Sequence, residues 1–449
     1  MQDNEFITSA SNKEGNQPID VKSEKKPKLK ADKHIWGIFI ALCIISIIEL
    51  YSASSREVAS STMGVYGPIV RHCAMLFAGV IIILTLQRIH FKWFIPLIPL
   101  FAVVSVIMMV YVMFFGDIIN GARRSFSLFG VMIQPAEFLK LSAAMVIALV
   151  MSRMQMPRGV KTKGVVICAV TVIIFGGLLF NQGLTNTILL MSISLSMMLI
   201  GGVQWKKFGV VLLAYGLIAC GALWLKMEKA EERMEKLKAG IELEQMDGNR
   251  NETIKTDRSG TWQARIDRFL GDSIPKYDKP ITADNRQEMY AYMAQANGGL
   301  LGVFPGNSRE TARLPLAFSD YIYSIIIEDM GFVGGMFVLL LYLWLLARAG
   351  SIASRCSRAF PAMLVIGMAV MIVFQALFHM AIVTGVFPVS GQPLPLISKG
   401  GSSILITSIA FGIMLSVSRY AVRNGKKQEI KQELNTLPEG VRADNPTQL

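Results

Sequence analysis

Two adjacent arginines, Arg123 and Arg124, follow Gly121 and Ala122 in the stretch 120–125. Neighbouring guanidinium groups are suited to a phosphate or pyrophosphate, because each offers a planar fork of donors. A little further on, Gln134-Pro135-Ala136-Glu137 opens an apolar run, and Lys140 follows Glu137 by three residues. Proline suits a first helical turn, and residues three apart share a helical face. The substrate-binding candidates are Arg123, Arg124, Glu137 and Lys140; the alternative for the last two is a surface ion pair beside a helix start.

A glycine-rich stretch, 298–308, precedes two acids, Asp320 and Glu328, at the mouth of a later apolar run. Glycines at this density permit tight turns and close approach of a ligand, although the pattern is weak alone. Acids at the end of a membrane helix are costly unless paired or facing water, and on one helix these two would lie within roughly 80° of each other. The substrate-binding candidates here are Asn307, Ser308, Asp320 and Glu328, and the residues that could instead pair with the acids are Arg309 and Arg313.

A third stretch, 384–403, holds three prolines and four glycines in a largely apolar sequence. It cannot continue a helix, so we predict a re-entrant or surface loop at membrane depth that is buried or lines a cavity. Lys399, Ser402 and Ser403 are its candidate contacts for a charged headgroup.

Long apolar runs separate these stretches. The 449-residue chain is 52% hydrophobic and 17% charged, with a mean hydropathy of +0.45, which is too apolar for an ordinary soluble domain. Runs of about 18 or more apolar residues can cross roughly 30 Å of hydrocarbon as helices. The predicted fold is an all-α polytopic membrane protein of about ten spans, near 34–52, 69–87, 93–115, 135–152, 164–181, 184–203, 208–226, 320–347, 360–384 and 401–420.

Basic residues predict the orientation, because Lys and Arg accumulate in cytoplasmic loops. They recur on the side of the Lys-rich N-terminal tail, notably at Arg348 and Arg419, so both termini are predicted to be cytoplasmic. No small-residue cleavage site follows the first apolar run, and we expect no removable signal peptide. Arg123, Arg124 and Lys399 fall on the opposite side, where this bias discourages them and a function would explain them.

The predicted organisation is a basic cytoplasmic tail (1–33), a membrane domain (34–422) and a flexible cytoplasmic tail (423–449). One long extracytoplasmic loop, 227–319, is predicted to begin with a helix that continues the seventh span. The net charge of +13 is divided among loops and tails, so it does not indicate a nucleic-acid partner. The five cysteines have no paired spacing, and we interpret them as packing residues.

The three stretches, in this order and on one side of the membrane, resemble the SEDS family (FtsW/RodA/SpoVE). Its members are polytopic, usually ten-helix proteins with a Gly-Ala-Arg-Arg loop, a Gln-Pro-Ser-Glu helix start and a Gly-Asn-Ser loop before an Asp-containing span. They also carry a Pro-Val-Thr-Gly-x-Pro-Leu-Pro-x-Ile-Ser-x-Gly-Gly-Ser-Ser segment, which the sequence from Pro388 to Ser403 resembles closely. The match extends from about residue 34 to 420, and the division-type branch fits better than the rod-shape branch.

The resemblance implies a peptidoglycan glycosyltransferase that polymerises lipid II in the bacterial cytoplasmic (inner) membrane, at the division septum. The implied partners are a class B penicillin-binding protein transpeptidase and other division-complex membrane proteins. An acceptor hydroxyl would displace undecaprenyl pyrophosphate with inversion, helped by a carboxylate base and by cations. Arg123, Arg124 and Lys399 would hold the pyrophosphate, and Asp320 with Glu328 would orient an arginine or a divalent cation (Mg²⁺ or Mn²⁺).

The family's proposed catalytic Asp precedes a Gly-Tyr-Gln that begins a short amphipathic helix in the long loop. Gln287 matches that Gln, which leaves Asp278 and Asp284 as rival candidates. Asp284 is favoured because it lies beside the matched segment; its alternative role is to cap the following helix.

Several positions depart from the family pattern. Ser319 stands where His is usual, Ser125 where Trp is frequent, His379 where Asn is common and Lys399 where Tyr is frequent, and Asn181-Gln182-Gly183 lacks a frequent acid. Two other classes of function remain open: a lipid-linked precursor flippase and a non-catalytic division scaffold. Transporters often show inverted repeats, and we find none; a scaffold would tolerate alanine at both loop aspartates.

Overall fold

A computed structural model describes most of the membrane domain. The described residues are 31–53, 66–119, 122–128, 131–156, 159–180, 182–221, 224, 228, 280–282, 285–314 and 317–421. The predicted helix at the start of the long loop lies outside them apart from Glu228, which is helical.

The chain is mostly helical, because a helix satisfies its own backbone groups in lipid. Eight described helices are long and apolar enough to cross a membrane; α6 is apolar but shorter, and α7 is helical over 205–221. The described parts of the ten predicted spans are helical, and their bounds differ from prediction by a few residues. The helices are α1 (Lys33–Ala53), α2 (Tyr66–Leu86), α3 (Phe94–Phe115), α4 (Pro135–Arg153), α5 (Thr162–Phe180), α6 (Leu184–Ile200), α7 (205–221), α8 (Arg286–Gly298), α9 (Ile322–Ala353), α10 (Ala359–Val383) and α11 (Gly401–Tyr420).

Two small antiparallel sheets supplement the predicted helices. One contains β1 (Asp117–Ile119), β2 (Ala122–Leu128) and β3 (Val131–Ile133), and the other contains β4 (Gln155–Met156) and β5 (Gly159–Val160). Arg123 and Arg124 therefore lie in a strand rather than in the predicted loop. Strands β1 and β2 pair antiparallel with Ile119 opposite Ala122. The sequence between them is Asn-Gly, and Asn-Gly between apolar residues is a strong hairpin signal that the all-α prediction overlooked.

Helices α4, α10 and α11 form the centre of the bundle. Between 72% and 78% of each span is buried, against 22% for α2 and α3. Helix α10 packs against α4, α9 and α6, while α11 packs against α2. The central helices therefore have little surface left for lipid.

Helix α9 breaks at Gly331, whose φ of 71° is not helical. The turn after α8, residues 299–304, lies along this break and supplies hydrogen-bond partners for it. Four backbone hydrogen bonds of 2.8–3.2 Å join Val303 N to Glu328 O, Phe304 N to Asp329 O, Phe332 N to Gly299 O and Val333 N to Leu300 O. We call these four bonds the backbone bridge.

Asp32 joins three helices at one face of the bundle. Its carboxylate accepts the backbone N–H of His34 at 3.0 Å and so caps α1, and it accepts hydrogen bonds of 2.6–3.1 Å from Arg348 on α9. Its own N–H donates to Ser418 Oγ on α11 at 3.1 Å. The start of α1 and the ends of α9 and α11 therefore share one side, as the basic residues predict.

Replacing Asp32 by Asn is expected to destabilise the fold by about 1 kcal/mol near neutral pH, because Asn still caps a helix but loses the charge opposite Arg348. Burial raises the pKa of Asp32, yet the hydrogen bonds from Arg348 and from the backbone of Ile35 hold that pKa below its ordinary value. The negative charge of Asp32 stabilises the fold above the unfolded-state pKa of about 4. This stabilisation is lost as the pH falls through the folded-state pKa of Asp32. Thermal unfolding of both proteins across pH checks this, and an equal difference at every pH would contradict it.

Candidate active site

A cavity of about 980 Å³, including its open mouth, lies between α4, the start of α6, the end of α10 and the segment after α10. Its polar lining comes from several separate elements, and its apolar lining includes Phe378, Ile382 and Phe387. The polar side chains that line it are Arg124, Gln134, Glu137, Gln182, Thr185, Asn186, Ser390 and Gln392. A cavity of this size that combines apolar side chains with converging polar groups is typical of a ligand site.

Glu137 and Lys140 form a buried ion pair behind this cavity. Lys140 Nζ lies 2.8 Å from Glu137 Oε1 and 3.3 Å from Gln375 Oε1 on α10. Lys140 is 0% exposed and Glu137 is 4% exposed. The ion pair that was the alternative to substrate binding is present, but it is buried instead of lying at the surface. Glu137 reaches the cavity, whereas Lys140 and Gln375 hold it from behind.

The strand β2 separates the two arginines. Successive side chains of a strand point to opposite faces, and Arg124 lines the cavity while Arg123 is exposed. Arg123 donates to the carbonyl oxygens of Phe114 and Met113 at the carboxyl end of α3. The prediction that the two guanidinium groups act together on one pyrophosphate therefore does not fit the geometry, because only Arg124 faces the cavity.

The segment 384–400 is non-helical, as its prolines and glycines predict, and its part 394–398 is buried. Ser398 Oγ accepts the N–H of Leu394 at 2.7 Å and donates to Ser319 O at 2.8 Å. Tyr342 on α9 donates to Pro395 O at 2.5 Å, which fixes the turn from the centre of the bundle. The segment thereby holds one wall of the cavity in place.

His379, Gln392 and Asn186 form a chain of polar contacts at the cavity. His379 Nδ1 lies 2.6 Å from the carbonyl oxygen of Gln392, so this nitrogen must carry the proton that is donated. The side chain of Gln392 donates to Asn186 Oδ1 at 2.9 Å. Sequence analysis did not select Gln392, Asn186, Gln182 or Gln375; their signal was a polar side chain in or beside an apolar span.

Glu328 organises the loop that precedes α9. Its carboxylate accepts hydrogen bonds from Ser308 Oγ, from Arg309 N at 3.0 Å and from Asn297 Nδ2 at 3.4 Å. Asn307 is exposed, and its amide donates to Val303 O within the same turn. Glu328 is 0% exposed, so the structure assigns it a role in holding the loop and does not bring it to the cavity.

Asp320 and Glu328 do not share a helical face, because α9 begins at Ile322, after Asp320. Ser319 Oγ donates to Asp320 at 2.6 Å, and a Cβ on Gly391 would lie 2.9 Å from its other oxygen. Asp320 thus packs against the segment 384–400, whereas Glu328 holds the loop 308–310. The two acids do not fit a shared cation site, and within the described residues no group of three or more His, Cys, Asp or Glu could hold a metal. Arg313, the other proposed partner of these acids, pairs with Glu310 instead.

Of the remaining candidates of the third stretch, Lys399 and Ser402 contact protein groups, and Ser403 is buried. Lys399 Nζ lies 4.8 Å from the ring centre of Phe318, and its backbone N–H donates to Phe318 O. Ser402 Oγ accepts the N–H of Gln134 at 3.2 Å, which ties α11 to the start of α4, and Ser403 is 3% exposed. None of these three side chains lines the cavity.

Both candidate base residues, Asp278 and Asp284, lie outside the described residues. The short helix predicted after them is present as α8, and Gln287 lies in its first turn. Asn285 occupies the N-cap position and binds the preceding turn through Thr282 N at 2.7 Å.

Comparisons with known proteins extend over most of the chain. A family model described as cell cycle protein (FtsW/RodA/SpoVE) matches residues 32–244 and 260–423. A probable peptidoglycan glycosyltransferase FtsW of Trichlorobacter lovleyi is 28% identical over 386 residues, which are 84% of this chain and 91% of that protein. The peptidoglycan glycosyltransferase MrdB of Escherichia coli K12 is 25% identical over 395 residues, 87% of this chain and 94% of that protein.

Two solved structures share the fold. A chain from a peptidoglycan synthase complex, described as coordinating polymerization and crosslinking, aligns with a TM-score of 0.62 at 21% identity, covering 88% of this chain and 99% of that chain. The rod shape determining protein RodA of Thermus thermophilus aligns with a TM-score of 0.57 at 20% identity, covering 88% and 98%.

Proposed function

Because the chain belongs to the FtsW/RodA/SpoVE family of cell cycle proteins, we propose that it is a peptidoglycan glycosyltransferase that polymerises lipid II. The observation that carries the proposal is the cavity in which Arg124 and Glu137 meet the segment 384–400. It places a cation and a carboxylate at the wall of one cavity, which in this proposal binds an isoprenoid-linked pyrophosphate. Its curated relatives in Trichlorobacter lovleyi and Escherichia coli are named for this activity.

In the proposed reaction, the acceptor sugar hydroxyl attacks the anomeric carbon of the donor as the bond to the pyrophosphate oxygen breaks. Asp284 or Asp278 takes the hydroxyl proton, and undecaprenyl pyrophosphate leaves with the bonding electrons. Arg124 stabilises the charge that develops on the leaving group, as a fixed cation in a water-poor site can. Glu137 contacts the substrate, while Lys140 and Gln375 orient Glu137 and do not touch the reacting atoms.

The test is polymerisation of purified lipid II by the reconstituted protein with its class B transpeptidase. Wild type is expected to form glycan polymer, and either Asp284→Ala or Asp278→Ala, with an unchanged unfolding temperature, is expected to form none. Polymer from both variants would reject the catalytic role of these acids. Failure of wild type with its partner would instead favour the flippase or scaffold alternative, which a lipid II translocation assay then separates.

The opposite orientations of the two arginines supply a matched pair of variants. Arg124→Ala is expected to lower the polymerisation rate by about 10²-fold or more, because a fixed cation is lost from the developing charge. Arg123→Ala removes donors from the carboxyl end of α3 and is expected to leave the rate within a few-fold of wild type. Initial rates at saturating lipid II check this; equal losses for both variants would contradict the assignment.

The partner and the site of action are also proposals. The solved relative belongs to a complex that coordinates polymerization and crosslinking, and this supports a class B transpeptidase as partner here. The division-type motifs favour septal synthesis with other division-complex proteins. A divalent cation remains a prediction; since Asp320 and Glu328 do not fit as its shared ligands, any loss of polymerisation on chelation would require other residues.

A further inference from the structure

We propose that residues 299–304, which we call the apolar tip, are inserted among the lipid acyl chains of the outer leaflet. The tip belongs to the segment that the sequence predicts as an extracytoplasmic loop. Its side chains Leu300, Leu301 and Phe304 are 71%, 76% and 71% exposed. Three large apolar side chains gathered in one short turn are unfavourable in water and suit an apolar surrounding.

The length of helix α1 indicates how deep the tip lies in the membrane. Asp32 begins this helix beside Arg348, and Ser52 near its other end accepts the N–H of Gly306 at 3.0 Å. The 20 residues from Lys33 to Ser52 span about 30 Å, the thickness of the hydrocarbon core. Gly306 therefore lies at the outer boundary.

Helix α9, measured from the same Asp32–Arg348 contact, gives a similar depth. Gly331 precedes Arg348 by about 17 residues, or about 25 Å along a helix. The break at Gly331 thus falls just inside the outer boundary, and the tip that is bonded to it lies at that level.

The backbone bridge lowers the free-energy cost of placing this irregular backbone in lipid. Each unsatisfied N–H or C=O in hydrocarbon costs several kcal/mol. The bridge satisfies the N–H groups of Val303 and Phe304 and the carbonyls of Gly299 and Leu300, and Gly302 N donates to Gly298 O at 2.8 Å. It also satisfies groups that the break in α9 would leave without helical partners. The tip thereby presents apolar side chains while its bonded backbone groups are occupied.

The residues next to the tip indicate what surrounds it. Phe332 and Val333, which the bridge bonds to the tip, are 55% and 56% exposed on a membrane-spanning helix. Their exposed side faces lipid, and the tip extends this same surface outward. Acyl chains are therefore the partner, and not water. Since α8 runs directly into the tip, insertion also fixes α8 at the membrane surface.

Tryptophan placed in the tip tests the depth in the full-length protein. Leu301→Trp and Phe304→Trp are compared with Arg313→Trp, an exposed charged position with 61% side-chain exposure, in nanodiscs of phosphatidylcholine. The emission added over wild type is measured with brominated acyl chains and, separately, with aqueous acrylamide. We expect the ratio of lipid quenching to acrylamide quenching to be severalfold higher for the tip variants.

Each outcome decides the proposal. Acrylamide quenching of both tip variants equal to that of Arg313→Trp would place the tip in water and overturn the proposal. Weak quenching by both agents would show that protein, such as a second copy, covers the tip and would also overturn it. The measurement needs no lipid II, so it stands or fails separately from the proposed glycosyltransferase activity.

Discussion

Replacing Lys140 by methionine is expected to destabilise the protein by about 3–5 kcal/mol and to abolish polymerisation. The side chains have similar length, so packing is retained while Glu137 is left as a buried charge without its cation. The hydrogen bond from Gln375 is a weaker substitute than the ammonium at 2.8 Å. Thermal unfolding in nanodiscs and polymerisation of lipid II are the two measurements.

A second variant separates the stability of this pair from its function. The double variant Lys140→Met/Glu137→Gln has no buried charge at these positions, so most of the lost stability is expected to return. Polymerisation is expected to stay absent, because Glu137 is the member of the pair that lines the cavity. Recovery of activity in the double variant would show that neither charge is needed by the substrate.

Replacing Gly331 by alanine is expected to destabilise the protein by about 3 kcal/mol or more, because its backbone conformation is nearly restricted to glycine. Its φ is 71° and its ψ is −177°. A Cβ there would overlap the carbonyl oxygen of Leu300 and would lie 2.6 Å from Gly302 N. We therefore expect loss of the backbone bridge and faster proteolysis near residues 299–304. Limited proteolysis and the unfolding temperature are the two measurements.

Gly350 lies in the same helix and provides the control. A Cβ at Gly350 would meet no atom within 4 Å, and alanine is favoured over glycine inside a helix by about 0.5–1 kcal/mol. Gly350→Ala is expected to leave the unfolding temperature unchanged or slightly raised. Equal losses for Gly331→Ala and Gly350→Ala would show that helix composition, and not the bridge, determines the effect.

The helices were predictable because lipid imposes a simple requirement on the chain. Apolar runs long enough to cross the bilayer must be helical, so bounds such as those of α4 and α11 agree closely with the sequence. The hairpin at 117–133 was missed because its signal, Asn120-Gly121, is short beside the neighbouring apolar runs. A hydropathy pattern averages over many residues and does not detect a two-residue turn signal, although such a turn determines the local fold.

The candidate site was only partly predictable, because sequence spacing does not give the direction of side chains outside helices. Glu137 and Lys140 pair as their helical spacing indicates. Arg123 and Arg124 diverge because they lie in a strand, and Asp320 falls outside the helix on which its angle to Glu328 was calculated. The amides of Gln375 and Gln392 reach the site through packing between distant segments, which no local pattern shows.

The long-range contacts of Glu137 also bear on how the protein is made. Gln375, which bonds Glu137 and Lys140, is synthesised more than 200 residues later, since 238 residues separate it from Glu137. Until α10 enters the membrane, Gln375 is not there to bond either side chain, and a spacing of three residues lets Lys140 and Glu137 pair within one helix. A chain interrupted before α10 would therefore expose this pair in a half-built bundle, where the quality control of membrane insertion could detect it.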